Sequence, residues 1–184
     1  MKTLWGFIIG FVVCGICFFL IASEVYYSNT PRSCMSCHEM RVFYNTWKLS
    51  AHGLAEKGAV RAKCVDCHLP HTSLSGYLLA KARAGLHDYL AHFSGKMNTP
   101  EKWLDYVKQR EMRETVKPIA FDSGCRQCHK VLIGNGIPLK AIKAHKAYLL
   151  GETKKTCVSC HRSVGHGDIV STFTELTRKQ NKGG

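Results

Sequence analysis

The residues with the clearest chemical signal are eight of the ten cysteines, which occur in four copies of the pattern Cys-x-x-Cys-His. The two thiols of such a motif can form thioether bonds with one porphyrin, and the adjacent histidine can ligate its iron. Structural zinc is the alternative, but zinc sites do not need a histidine after every second cysteine. Four copies in 184 residues therefore predict four covalently bound c-type haems. The cysteines that would hold them are Cys34, Cys37, Cys64, Cys67, Cys125, Cys128, Cys157 and Cys160.

Each haem iron takes two axial ligands, and the motif histidines can supply one apiece. These motif histidines are His38, His68, His129 and His161. Six further histidines remain as candidates for the opposite side of the irons: His52, His71, His87, His92, His145 and His166.

The four motifs form two pairs, whose members start 30 and 32 residues apart, and each pair has one extra histidine between its motifs, His52 or His145. This repetition indicates an internal duplication of a di-haem module. We predict modules at about 30–75 and 120–166, joined by a helical linker over 76–118.

The pattern of apolar residues predicts a mainly α fold with little or no β structure. Apolar residues recur at helical spacing from Gly76 to Phe93. A second linker helix should begin at Pro100, with Thr99 as its cap, and should end by Pro118. The polar, basic segment 167–184 is expected to be a loose tail.

The N-terminal segment has the length and composition of a membrane anchor. Residues 4–22 carry no charged side chain, and such a helix would be about 28 Å long, close to the hydrocarbon thickness of a bilayer. A cleaved signal peptide would typically have a shorter apolar stretch. We therefore predict an anchor over 1–24 and a haem domain over 25–166. Lys2 favours a cytoplasmic N-terminus in the inner membrane, with the haem domain in the periplasm.

The net charge is +13, and the propionates of four haems would offset about eight of these charges. The remaining excess suits an anionic lipid surface or an acidic protein partner. No nucleic-acid-binding motif accompanies the basic residues, so nucleic acid is not expected as a partner.

The motifs and their flanks together resemble the NapC/NirT family of membrane-anchored tetrahaem quinol dehydrogenases. The stretches that carry the resemblance are Cys34-Met-Ser-Cys-His-Glu-Met40, Ser50-Ala-His52, Cys64-Val-Asp-Cys-His-Leu-Pro-His71, Thr99-Pro-Glu-Lys-Trp103, Cys125-Arg-Gln-Cys-His129, Thr156-Cys-Val-Ser-Cys-His161 and His166. The resemblance implies that His52 ligates the third haem, His166 the second and His145 the fourth. Such ligands would cross between the two modules and join them.

The first haem is expected to differ from the others. In relatives with the same motif, the methionine at the position of Met40 binds the iron, and this thioether raises the reduction potential relative to imidazole. His38 is the alternative ligand. His71 is expected either beside a propionate or near an iron ligand, whereas His87 and His92 are expected at the surface or facing the membrane.

Lys81 and Asp88 are the candidate residues for quinol oxidation. They lie seven residues apart, which places them on one helix face about 10 Å apart. Ala84 and Gly85 between them would leave a shallow slot for a flat ring. The resemblance agrees, because relatives have an acid at the position of Asp88 and some have a lysine matching Lys81. The alternative is a solvated pair of charges on an interfacial helix.

The predicted function is oxidation of menaquinol or ubiquinol and relay of its electrons to a periplasmic terminal reductase or cytochrome, with nitrate or nitrite respiration favoured. Two alternatives are the small subunit of a stable nitrite reductase complex and a multihaem reductase that acts directly on a small nitrogen or sulfur compound. A haem-based sensor or structural subunit is a third. Association into a homo- or hetero-oligomer is compatible with each.

Overall fold

A computed structural model describes residues 2–53, 61–95, 97–112 and 119–182. These residues form ten α-helices and one 3-10 turn, without a β-strand among them, which confirms the mainly α fold. The helices are α1 Lys2–Tyr27, α2 Pro31–Cys34, α3 Arg41–Lys48, α4 Cys64–His68, α5 Leu74–Phe93, α6 Pro100–Met112, α7 Asp122–Cys128, α8 Leu139–Leu149, α9 Cys157–Cys160 and α10 Ile169–Lys182, and the 3-10 turn is His38–Met40.

Helix α1 contains the predicted anchor and is three residues longer than expected, ending at Tyr27. Its 26 residues correspond to about 39 Å of helix, and none of its side chains is buried by the rest of the chain. By length and composition, α1 can cross a membrane once. The chain then turns into α2, where Thr30 is the N-cap and Pro31 occupies the first helical position.

The linker contains the two predicted helices. Helix α5 begins two residues before the predicted Gly76, because the Ser73 hydroxyl caps it by accepting a hydrogen bond from the Gly76 backbone N–H at 3.1 Å. Helix α6 begins at Pro100 as predicted, while its expected end at Pro118 lies outside the described residues.

The prediction of a loose tail at 167–184 is wrong for the described residues of this segment. They form helix α10, which packs along α6. Phe173 of α10 is 1% exposed, and its ring lies against Phe43 and Trp103 at centroid distances of 5.4 and 6.2 Å. Burial of this one aromatic ring is worth about 2–3 kcal/mol, which helps to fix the helix on the domain.

Helices α4 and α7, which carry the second and third motifs, are in close backbone contact. The Phe121 N–H donates to the Cys67 carbonyl at 2.8 Å. A Cβ at Gly124 would lie 1.8 Å from the Asp66 carbonyl oxygen, so only glycine permits this approach. The contact joins the first predicted module to the second.

The core of apolar side chains is small. Five apolar residues are buried in the described part of the chain: Trp47, Val65, Leu69, Leu104 and Phe173. A chain of this size normally buries many more. Such a fold suits helices that pack against prosthetic groups as much as against each other.

Candidate functional site

The motif cysteines lie on or beside short helical segments. In α4, α7 and α9 the two cysteines of a motif are three residues apart, so both thiols face the same side of one helical turn. The motif histidine ends α4 and immediately follows α7 and α9. The first motif differs, because Cys34 ends α2 and Cys37 precedes the 3-10 turn.

Three motif histidines each face a second histidine across a similar gap. The ring centroids are 6.1 Å apart for His52 and His129, 6.0 Å for His68 and His166, and 6.1 Å for His145 and His161. An imidazole nitrogen lies about 2.0–2.1 Å from a bound metal ion, so rings on opposite sides of one ion have centroids roughly 6.4 Å apart. The donor set and its spacing therefore fit three bis-histidine irons.

These three pairs are distributed unequally over the modules. In the pairs His52 with His129 and His68 with His166, one ring belongs to the first module and the other to the second. His145 and His161 both belong to the second module. The paired rings therefore come from different modules in two of the three cases, whereas the resemblance implied crossing for all three partner histidines.

The partner histidines are all held through Nδ1 by backbone carbonyl oxygens. The acceptors are Val164 for His52 at 3.3 Å, Leu132 for His145 at 2.7 Å and Phe43 for His166 at 3.0 Å. A carbonyl fixes the proton on Nδ1 and leaves the Nε2 lone pair available for a metal ion. These contacts give each ring the tautomer that iron ligation requires.

Burial keeps the second pair neutral. Desolvation, with a smaller effect from His68, lowers the pKa of His166 to about 4. Desolvation also lowers the pKa of His68 below its ordinary value. Both rings are therefore uncharged at neutral pH, which is the form that binds a metal ion.

The first motif has a different environment, which the sequence analysis missed. The Glu39 carboxylate, with an 8% exposed side chain, accepts a hydrogen bond from Nδ1 of His92 at 2.9 Å and lies 3.5 Å from Nδ1 of His38. His92, expected at the surface or facing the membrane, has a 36% exposed side chain and contacts both Glu39 and the His38 ring. Met40, the last residue of the 3-10 turn, is partly buried.

Lys81 and Asp88 are both close enough to the first motif to act on Cys34 electrostatically. A hydrogen bond with Cys64 lowers the pKa of Cys34 to about 7, and the charges of Lys81 and Asp88 shift it in opposite directions. Asp88 is largely exposed and contacts Nδ1 of His87 at 3.2 Å. The contact of His92 with Glu39 also brings α5 to the first motif.

A polar cluster at the end of the anchor holds Lys81. Asn29 Oδ1 accepts hydrogen bonds from Lys81 Nζ at 2.7 Å and from the Tyr77 hydroxyl at 2.6 Å. Burial lowers the pKa of Lys81 below its ordinary value. Nothing in the sequence marks Asn29 or Tyr77, because they are 48 residues apart and belong to no motif.

The face of α5 between the two charges is open. A Cβ at Gly85 would meet no atom within 4 Å, and Ala84 is exposed, as the predicted slot requires. Large apolar side chains on the same helix are also exposed, namely Leu78, Leu79, Leu86, Tyr89 and Leu90. Such a surface suits contact with lipid or with a lipid-soluble substrate.

The two remaining histidines, His71 and His87, contact neither a motif histidine nor Glu39 in the described residues. His71 Nε2 lies 3.2 Å from the Val65 carbonyl, and its backbone N–H donates to the Ser123 hydroxyl at 3.0 Å. His87 has an 81% exposed side chain, in agreement with the expected surface position.

Four Cys-x-x-Cys-His motifs with facing imidazoles on an all-helical frame define a c-type cytochrome, which binds haem c covalently. Residues 1–171 match the NapC/NirT cytochrome c family, N-terminal region. The chain belongs to this family.

Several relatives agree with this assignment. The chain is 32% identical to the cytochrome c-type protein NapC of Paracoccus pantotrophus, over 89% of the chain and 68% of that protein. It is 30% identical to the tetraheme c-type cytochrome CymA of Shewanella oneidensis, over 86% of the chain and 87% of that protein. For the cytochrome c-type protein NrfH of Wolinella succinogenes the identity is 30%, over 79% and 73%.

A solved structure has the same fold. It is titled as the cytochrome c nitrite reductase NrfHA complex bound to the HQNO inhibitor, and one of its chains aligns with a TM-score of 0.54 at 24% identity. The alignment covers 89% of this chain and 92% of that one.

Proposed function

We propose that the chain is a quinol dehydrogenase that oxidises membrane quinol beside the first of four covalent haems and passes the electrons to a periplasmic reductase. The observation that carries the proposal is that α5 connects the end of α1 to the first motif. Lys81 Nζ donates to Asn29 Oδ1 at 2.7 Å, and His92, one helical turn after Asp88, contacts the Glu39 carboxylate at 2.9 Å. Lys81 and Asp88 flank the open surface at Gly85 on a helix with exposed apolar side chains.

The haem ligands in this proposal follow the paired rings. His68 and His166 hold the second haem, His129 and His52 the third, and His161 and His145 the fourth, while Met40 or His38 ligates the first. Bound haem supplies reversible one-electron transfer at a potential set by its axial ligands. The protein residues fix ring orientation through the carbonyl contacts of Nδ1 and exclude competing tautomers.

Quinol oxidation releases two electrons and two protons, so the site needs groups that orient the ring and accept protons. Lys81, whose Nζ also donates to Asn29 Oδ1, donates a hydrogen bond to one quinol oxygen. The Asp88 carboxylate accepts the proton of the other oxygen and releases it to solvent, to which it is exposed. The proton of the oxygen that faces Lys81 passes to water at the open face of α5. Asn29 lies directly after α1, so the substrate reaches the site from the lipid phase.

The location follows from the anchor. The apolar helix α1 supports a site at a bilayer surface, and Lys2 favours a cytoplasmic N-terminus, which would put the haem domain in the periplasm. NapC, CymA and NrfH relatives support a periplasmic acceptor, and a nitrate or nitrite reductase is the proposed class. The excess positive charge suits an acidic docking face on that acceptor.

The proposal is tested with membrane preparations of Asp88→Asn and Lys81→Met, each assayed for haem content and for haem reduction by a menaquinol or ubiquinol analogue. Asp88→Asn removes the proton acceptor and should slow quinol oxidation about 100-fold. Lys81→Met removes the hydrogen-bond donor and should slow it about 10-fold. Asp105→Asn and Lys179→Met are matched exposed controls. Full quinol activity in both variants with four haems bound would refute the quinol site.

A further inference from the structure

The Glu39 carboxylate brings two histidines together in a way that the other histidine pairs do not share. Its Oε2 atom lies 3.5 Å from Nδ1 of His38 and 3.1 Å from Nδ1 of His92. The two rings are in contact, with centroids 5.6 Å apart. In the other three pairs, the partner histidine is bound by a separate backbone carbonyl and not by a group that faces both rings.

This geometry is incompatible with an iron between His38 and His92. Because one oxygen approaches both Nδ1 atoms, these atoms are at most about 6.6 Å apart. Two imidazoles on opposite sides of one metal ion, each bound through Nε2, have Nδ1 atoms about 8 Å apart. A carboxylate that faces both rings would also have to pass through the porphyrin plane. The His38–His92 pair is therefore not a fourth bis-histidine site.

The local backbone separates His38 from Met40. In a 3-10 turn, successive residues differ by about 120° around the axis, so the side chains of residues 38 and 40 point in different directions. Glu39, between them, reaches His92 of α5 and is almost fully buried. The turn can therefore present one of the two candidate ligands to the iron while the other is held on the side of α5.

We propose that Glu39 and His92 are positioning residues that hold the motif histidine His38 away from the first iron and leave that ligand position to Met40. The inference rests on the proposed binding of a haem at the first motif. It adds the two residues that determine which side chain ligates the iron of that haem. His92 lies one helical turn after Asp88. Helix α5 therefore carries both the proposed quinol residues and a residue that determines which side chain ligates the first iron. The result is a first haem with a higher potential than an imidazole in place of Met40 would give.

The experiment compares Glu39→Ala and His92→Ala with the parent protein by near-infrared magnetic circular dichroism and redox titration of the full chain. In the parent, one haem should show a methionine-to-iron charge-transfer band. Removal of either positioning residue should free His38 to replace Met40, so this band should be lost and the potential of the first haem should fall. Glu39→Gln should retain the band, because its amide oxygen still accepts from His92.

Matched controls separate this role from general damage. His87→Ala removes an exposed histidine of the same helix, and Glu175→Ala removes an exposed carboxylate; both should keep the band. His38→Ala should also keep it, whereas Met40→Ala should lose it. If an alanine variant at Glu39 or His92 fails to incorporate haem, the His38→Ala variant tests the proposal instead. Its first haem should keep the methionine band, because His38 is not an iron ligand in the proposal.

Two results would overturn the proposal. One is a methionine band that persists in both Glu39→Ala and His92→Ala with normal haem content. The other is a change in the ligand signature of the first haem in His38→Ala. Quinol oxidation is measured in the same samples, so a parent protein with the methionine band but no quinol activity would count against the quinol site and not against the positioning residues.

Discussion

Eight of the ten histidines occupy two kinds of environment. Around the second, third and fourth motifs, imidazoles face each other at about the same distance, and backbone carbonyls orient the partner rings. Around the first motif, the buried Glu39 carboxylate contacts the imidazoles of both His38 and His92. The charged residues Lys81 and Asp88 belong to the same helix as His92. In the proposed function, this difference separates a uniform relay from a site adapted to a substrate, because uniform ligation suits one-electron transfer while proton release needs ionisable groups.

The largest effect is expected from removing a partner histidine of the relay. His166→Ala should convert one of the three bis-histidine haems to a high-spin or solvent-ligated form and slow electron transfer to an acceptor by about 100-fold. Electron paramagnetic resonance counts the low-spin species. His92→Ala is the matched comparison and should leave the three bis-histidine signals intact. Loss of the same low-spin haem signals in His166→Ala and His92→Ala would show that the two environments do not differ in haem ligation.

The relay should also depend on Asp122, which ties the last two motifs together. Its carboxylate accepts from the Cys157 backbone N–H and from the Tyr148 hydroxyl, both at 2.9 Å. Asp122→Ala should lower the free energy of unfolding by about 3 kcal/mol, because hydrogen bonds to a charged group are lost. A fall in Tm of roughly 6–12 °C should be measurable by circular dichroism. Asp105→Ala, at an exposed site, should leave Tm nearly unchanged.

A smaller effect is expected at the contact between the second and third motifs. Gly124→Ala would place a Cβ 1.8 Å from the Asp66 carbonyl oxygen, so α4 and α7 must separate at a cost of about 1–3 kcal/mol. Denaturant unfolding should reveal this loss. Gly134→Ala is the control, because a Cβ there meets nothing within 4 Å. An equal stability of the two variants would show that the contact does not hold the modules together.

The smallest effect concerns the pH dependence of the first site. Burial lowers the pKa of Lys81, so its charged donor form is present below this pKa and is lost as the pH rises through it. Quinol kcat/KM should therefore fall on the alkaline side at a lower pH than an ordinary lysine would give. Lys81→Arg, which stays charged, should remove this decline, whereas the exposed control Lys179→Arg should retain it. If quinol kcat/KM of Lys81→Arg still declines at the same alkaline pH, the decline comes from a group other than Lys81.

Local patterns predicted the helices that have clear boundary residues. Helix α5 was predicted to within two residues at its start and α6 begins at the expected proline, since capping and proline rules act over a single turn. Helix α10 was missed because its charged residues suggest a solvated tail. The spacing of Ile169, Phe173 and Leu176 is helical and would have indicated it. The burial of Phe173 depends on α6, which no local rule includes.

The sequence by itself determined the chemistry: the covalent haem motifs, the candidate ligands, the apolar anchor helix and the pair of charges on α5. These features depend on residue type and on separations of at most a few turns, which covalent geometry and helical periodicity fix. The tertiary structure decided which rings meet and what surrounds them. Glu39 and His92 are 53 residues apart and Asn29 and Lys81 are 52 apart, so only the packing of α5 against the first motif and the end of α1 brings them together.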